Sequence, residues 1–457
     1  MQPLRIILLL SIVVLFTGIS GRGAVAAPEE PTRMVLSLED AVKIGMQRNR
    51  TLEIARLDRQ MAGQKVRESW AEVLPHVSTG LTYTRSIKPT VLFLPSNFPG
   101  GGGPISISQD NAFTGSVNVN QNIFKLSAIA GIRASSLVRK ISDEAYRQSN
   151  AEVVTSIRRA YYDALISAEK LKLVAQSIAR WEAARKDTGA LFRQGVAADI
   201  DTLKAYLSVE NLKPEFIRAK NDVSIAATRL KSVMGVDQET AISLSDSLAF
   251  RERKFPADIA SAYAEALQKR PDVRSLTLQL AAEGEKVTAA RSEGLPTLGA
   301  FGQLQTQTQF NDGTPLDKSQ WPVSSSIGLQ LSVPIFSGFA TSAKIEQAKI
   351  SRLQTRTRLE DLKAQVRAEV EVRLANVAES HRRIEVQSRT VGVAERSYRI
   401  TRLRLREGVG SRLELKDAEL QLNTAQINYL QAVYDYLLAS AEMEKSLGWI
   451  SPEEGGS

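Results

Sequence analysis

Apolar residues recur every seven positions on two separate faces of the last long helical stretch of this chain. Leu415, Leu422, Tyr429, Tyr436 and Met443 form one row, and Ala418, Ala425, Ala432 and Ala439 adjoin it. Leu413, Leu420, Ile427 and Tyr434 form a second row on nearly the opposite side. The preceding stretch is built alike. Val377, Ile384, Val391, Tyr398 and Leu405 stand in one row, and Val386, Val393 and Ile400 lie about 200° around the axis. A two-stranded coiled coil needs a single seam. Two opposed seams predict a helix gripped by a neighbour on each side, as in a curved wall of helices. A large soluble bundle is the plainer alternative.

Proline is absent between Pro104 and Pro214 and again between Pro334 and Pro452. Those intervals are rich in Ala, Leu, Arg, Glu, Lys and Gln, all good helix formers. They predict two helices over 126–193 and 339–406, each roughly 100 Å long. Shorter helices are predicted over 38–73, 199–234, 257–294 and 413–447. Pro214 predicts a kink or an irregular turn in its helix.

Period-two patterning replaces the heptads elsewhere. Ile327, Leu329, Leu331 and Val333 alternate with Ser326, Gly328, Gln330 and Ser332. Leu81 and Tyr83 alternate with Gly80, Thr82 and Thr84, and Phe113, Val117 and Val119 alternate with Thr114, Ser116 and Asn118. Strands are predicted over 77–88, 112–123, 297–309 and 323–334. Apolar residues on one side and small polar ones on the other fit a membrane barrel with a wet lumen. They also fit a soluble sheet covering a core.

The two halves of the chain match each other. Leu74-Pro75 falls on Leu295-Pro296 at a shift of 221, Ile123-Phe124 on Ile335-Phe336 at 212, and Gly195-Val196 on Gly408-Val409 at 213. The period is far too long for a solenoid unit and marks two structural halves, 27–240 and 241–457. The drop in shift places a connection of variable length after each Leu-Pro.

The first residues read as an export signal over 1–26. Arg5 gives a positive start, residues 6–16 an apolar run, and Ala24-Val25-Ala26 a small-x-small cleavage pattern. The other reading of this segment is a retained membrane anchor. Export favours the barrel over the soluble sheet. Four strands close no barrel of useful bore, and open edges are not tolerated in lipid, so several copies must share one barrel.

The chain has no cysteine, which excludes both disulfides and a lipid-bearing N-terminal cysteine. Its net charge of +9 is spread along helices that also carry many acids, unlike the basic patch of a nucleic-acid binder. His76 and His381, the only histidines, have no partner at metal-ligand spacing. Gly100-Gly101-Gly102-Gly103 runs into Pro104 and lacks the Lys-Ser/Thr of a phosphate loop. No catalytic constellation, metal set or cofactor motif emerges.

The order and spacing of these features resemble the TolC-like outer-membrane efflux proteins over essentially the whole mature chain. The resemblance rests on the duplicated helix–strand–strand–helix–helix plan, the two Leu-Pro helix ends, Val333-Pro334-Ile335-Phe336-Ser337-Gly338 and the two Gly-Val turns. The run Gly408-Val409-Gly410-Ser411-Arg412-Leu413-Glu414-Leu415-Lys416-Asp417-Ala418 is its most telling piece. It implies a mainly α fold with a small β part: a long-helix α-barrel topped by a shared membrane β-barrel, four strands from each protomer of a homotrimer. It implies a passive duct of a tripartite efflux or type I secretion system, seated in the lipid of the Gram-negative outer membrane. A periplasmic adaptor and an inner-membrane pump would be its partners. Glu414 and Asp417 match the acids that narrow the tunnel at its periplasmic tip. Arg412 matches a basic residue of the tip latch, and Glu407 replaces an aromatic partner there. Arg193, Gly195 and Val196, with Arg406, Gly408 and Val409, match the adaptor-contact turns. A reading from another class is a periplasmic structural or adhesive coiled-coil protein without a pore.

Overall fold

The computed structural model describes residues 34–449 except 89, 94–96, 98–101 and 316–318. The expected leader, 1–26, and Gly100-Gly101 lie outside the described residues. The order of elements is β1 (Met34–Leu36), α1 (Leu38–Arg48), α2 (Arg50–Ala71), β2 (His76–Arg85), β3 (Val91–Phe93), β4 (Pro104–Ser106) and β5 (Asn111–Phe124). Then come α3 (Leu126–Arg193), α4 (Asp199–Glu210), α5 (Lys213–Met234), β6 (Ile242–Leu244), α6 (Ile259–Lys269) and α7 (Pro271–Ser292). The chain closes with β7 (Thr297–Phe310), β8 (Val323–Ser332), α8 (Ala340–Arg406) and α9 (Arg412–Ser446).

The long helices α3 and α8 hold 68 and 67 residues and run without a break. Two helices expected to be continuous, 38–73 and 257–294, are each split in two, and the 199–234 helix breaks beside Pro214, where a kink or irregular turn is expected. Asn49 ends α1 and caps α2, its Oδ1 accepting from Leu52 N at 3.1 Å while its Nδ2 donates to Val233 O at 2.7 Å. Arg270 precedes Pro271 and is held extended, at ψ 126°, which ends α6 and opens α7. Pro214 sits in the first turn of α5, after the break at Asn211 and Leu212. No proline interrupts α9, which stays whole over 35 residues.

Two of these breaks receive a glycine from a distant helix end. A Cβ on Gly235 would lie 2.4 Å from the Arg48 carbonyl oxygen, and one on Gly448 would lie 2.7 Å from the Lys269 carbonyl carbon. Only glycine lets those chains come so close.

The largest core lies midway along the long helices. β1 pairs in parallel with β6. The buried Tyr161 hydroxyl lies 3.0 Å from the Leu36 carbonyl and 2.8 Å from Asp246 Oδ2. Residues 245–258 continue from β6 as a strap over α8 and α9. Phe250 packs against His381 and Tyr436, with ring centroids 5.5 and 5.0 Å apart. The buried Glu444 binds Arg158 of α3 and reaches Arg253 of the strap at 2.8 Å. Beside the sheet, α2, α3, α7 and α8 pack in that order, while toward the other end α3 meets α4, α5 and α9, and α9 meets α8.

This packing uses the first apolar row throughout and the second only at Tyr434, whose hydroxyl donates to Asp163 of α3 at 2.6 Å. Val377, Ile384, Leu415, Leu422 and Met443 are buried. On the second row Val393 is 70% exposed, Leu413 68% and Leu420 63%.

The main sheet is antiparallel in the order β2-β5-β7-β8. Its register aligns Thr79 with Val117, Val117 with Leu304 and Leu81 with Gly115, and it aligns Ala300 with Leu329 and Leu298 with Leu331. One face is therefore largely apolar, and it is bare: Ile327 is 91% exposed and Leu329 67%. The other face carries Ser78, Thr82, Asn118, Gln303, Gln305, Gln330 and similar residues, with Phe301 as an aromatic exception. Residues 86–110 carry the β3–β4 hairpin, whereas 311–322 join β7 to β8 more briefly, which explains the drop in repeat shift. Aromatic groups mark both ends of the sheet. Tyr83, Phe113, Phe310 and Trp321 cluster far from the helices, and Phe336 meets Phe339 where α8 begins.

The alternation predicts opposite responses to charge at neighbouring positions. Leu329→Arg near a bilayer midplane should cost about 2–4 kcal/mol or block membrane assembly, while Gln330→Arg should assemble. Heat-modifiable migration of the extracted protein reads the difference. Equal tolerance at both positions contradicts the facing.

Candidate functional site

The helix pairs α3/α4 and α8/α9 both reverse at the end farthest from the sheet. Gly195 and Gly408 each have φ +74°, and nothing lies within 4 Å of where a Cβ would stand. Backbone conformation, not space, requires glycine at these two turns. Val196 N donates to Leu191 O at 3.0 Å and Val409 N to Arg404 O at 3.0 Å, so the two reversals close alike. Val196 and Val409 are each 69% exposed at the tip. Arg193 donates from Nε to Gly189 O at 3.2 Å, and Arg406 is an exposed residue of the last turn of α8. These six residues therefore form two matching, solvent-facing caps.

Ser411 opens α9, its Oγ accepting from Glu414 N at 3.2 Å. Glu414 thus stands in the first turn, where a carboxylate suits the helix dipole. Asp417 follows one turn on, and both are exposed. Their side of α9 continues through Gln421, Thr424, Asn428, Gln431 and Asp435 to Glu442. At its upper end this polar stripe borders a cavity of about 250 Å³ lined by Arg159, Arg373, Arg383, Asp435 and Glu442. The strap residues line a different cavity, with His381 and Tyr436. The acids therefore share the side of the helical wall that the strap leaves open.

Arg412 turns the other way. Its guanidinium donates to the Asp201 carbonyl and to Thr188 Oγ1, tying α9 to both α4 and α3. Burial pushes the Arg412 guanidinium below its ordinary pKa, and the nearby Asp201 carboxylate opposes that shift. Glu407 caps the end of α8, and the ion pairs of Arg412 do not include it. Within one chain, Arg412 makes its ties to α3 and α4, and Glu407 stands apart from them at the end of α8.

Two features escaped the sequence reading. Glu419 is buried on α9, where Arg180 Nε of α3 donates to it at 2.8 Å and Ser177 Oγ at 3.0 Å; Arg180 Nη2 donates to Asn423 at 2.7 Å. Its position one helical turn from Leu415 and Leu422 was the available signal, since an acid on a buried face requires a partner. The second is Arg404, whose guanidinium stands 3.3 Å from Glu414 across the Gly408 turn. Ten residues separate them in sequence, a spacing that only the geometry of the reversal turns into contact.

Glu419→Ala should destabilise the packing of α9 on α3 by about 3 kcal/mol or more, because it leaves Arg180 without its carboxylate. Replacing Arg180 and Glu419 together with apolar residues should cost less than either single change. A thermal-unfolding double-mutant cycle with additive losses contradicts this pairing.

The family model described as "Outer membrane efflux protein" matches residues 44–236 and 262–449 of this chain. The alkaline protease secretion protein AprF of Pseudomonas aeruginosa is 24% identical over 334 residues, covering 73% of this chain and 69% of the relative. The outer membrane protein TolC of Escherichia coli is 22% identical over 420 residues, covering 89% and 81%. Among solved structures, the Campylobacter jejuni CmeC outer membrane channel superposes with a TM-score of 0.74 at 17% identity, covering 90% of this chain and 85% of that one.

Proposed function

Because this chain belongs to the outer membrane efflux protein family, we propose that it works as the passive exit duct of a tripartite assembly in the Gram-negative outer membrane. The observation that carries this reading is the four-stranded sheet with a bare apolar face, an uncharged polar face and two unpaired edges, β2 and β8. Lipid tolerates neither edge, and closing them calls for further copies of the same sheet. Three copies of this internally duplicated chain would give a barrel wide enough to hold water. The uncovered helical rows supply the matching seams of the tunnel below it. With no cysteine to carry a lipid, the barrel is its membrane anchor.

The duct supplies no energy of its own in this reading. An inner-membrane pump drives cargo, and a periplasmic adaptor bridges the pump to the two glycine-valine turns at Arg193–Val196 and Arg406–Val409. A relative named for protease secretion and a family model named for efflux both support a shared duct, with cargo chosen by the pump.

Glu414 and Asp417 face the tunnel where it narrows. Three copies of each around one axis create a field that attracts cations and holds multivalent ones. Planar-bilayer conductance of wild type against Glu414→Ala/Asp417→Ala tests this. Cation preference should weaken and block by a trivalent cation from the periplasmic side should be relieved, with assembly intact. Unchanged selectivity and unchanged block would place both acids outside the pore.

A further inference from the structure

The polar stripe of α9 is two sevenfold rows side by side. One holds Glu414, Gln421, Asn428, Asp435 and Glu442; the other holds Asp417, Thr424, Gln431 and Leu438. The acids on it are answered nearly one by one. Glu442 meets Arg159 at 2.5 Å and Arg373 at 3.5 Å, Asp435 meets Arg383 at 2.6 Å, and Glu414 meets Arg404 at 3.3 Å. Asp417 breaks the series. It is exposed and, among the described residues, has no cationic group within ion-pair distance. Its neighbour Lys416 borders the cavity between α9 and α3/α4, together with Arg412.

We propose, resting on the reading of this tip as the tunnel narrowing, that Arg404 is a specificity-determining residue: it cancels the charge of Glu414, leaving Asp417 as the net charge of the constriction. A cation and an anion a few ångströms apart act on a distant ion as a weak dipole, whereas an unpaired carboxylate acts as a full charge. Screening over roughly a Debye length sharpens the contrast. Each copy would then present one net negative charge to permeating ions, although two carboxylates stand there. Arg404 also donates weakly to the Val409 carbonyl at 3.5 Å, so its place in the turn is fixed by the same hairpin that sets the tip.

The proposal ranks the variants by charge. Arg404→Gln leaves two uncompensated acids and strengthens cation preference beyond wild type. Glu414→Gln and Asp417→Asn each bring the ring to neutrality and abolish the preference. Replacing both acids leaves Arg404 alone and reverses selectivity toward anions. Arg404→Gln combined with Glu414→Gln returns the reversal potential toward the wild-type value.

The chain has no cysteine, so a single thiol can be addressed in the assembled channel. Reversal potentials across a KCl gradient should move toward the K⁺ potential in Arg404→Cys. A cationic methanethiosulfonate reagent, added after insertion, should move them back in the same channel, free of any effect on folding. If neither Arg404 variant shifts the reversal potential while Asp417→Asn still does, Arg404 lies outside the pore field, and this inference fails with the constriction reading intact. If Asp417→Asn and Glu414→Gln also leave it unchanged, the constriction reading itself falls.

Discussion

A long helix with an apolar row on each of two opposite faces needs a neighbour on both sides, and a helix at the edge of a curved single layer has only one. The second row must meet another surface or stay in water. In this chain the first row closes the α8–α9 pair through Val377, Ile384, Leu415 and Leu422, and the second is left bare at Val393 and Leu420. The sheet obeys the same logic in hydrogen bonds, since β2 and β8 each pair on one side only. The two incomplete surfaces follow one another along the chain, since edge strand β8 leads into α8. One set of neighbours can therefore satisfy both, and a closed ring of copies is the arrangement that leaves no member with an open side.

Charge is distributed according to that architecture. The polar face of the sheet is built from hydroxyls and amides, so it offers water partners without fixed charge. Farther down, carboxylates appear on the open side of α9, but arginines from α3 and α8 neutralise most of them. Buried pairs on other faces do different work. Glu444 with Arg158 and Arg253 joins α9, α3 and the strap, and Glu419 with Arg180 joins α9 to α3 nearer the tip. These ties hold α9 to α3 and to the strap, and Glu414 and Asp417 stay exposed at the tip.

Much of this was legible in the sequence because the patterns are long. Sevenfold rows over many turns leave little doubt about helix, and the uninterrupted runs of α3 and α8 follow directly from the missing prolines. The alternation around Leu329 placed the sheet faces before any register was known. The helix breaks at Asn49 and Arg270 were harder, because an asparagine or a residue before proline inside a good helical stretch is decided by its distant partners. Gly235 and Gly448 are those partners, more than a hundred residues away along the chain. At the site, heptad spacing put Glu414 and Asp417 on one side of α9. The pairing of Glu414 with Arg404 could not be read from spacing, because it depends on how the Gly408 turn aligns two helices.

The central claim is that the bare rows and bare sheet edges are completed by copies of the same chain. Native mass spectrometry of the detergent-extracted protein measures this directly. The account predicts an intact assembly of three copies that is lost when Val393 and Leu420 are both replaced by lysine. A species of one copy from the unmodified protein, extracted without heat, would contradict it.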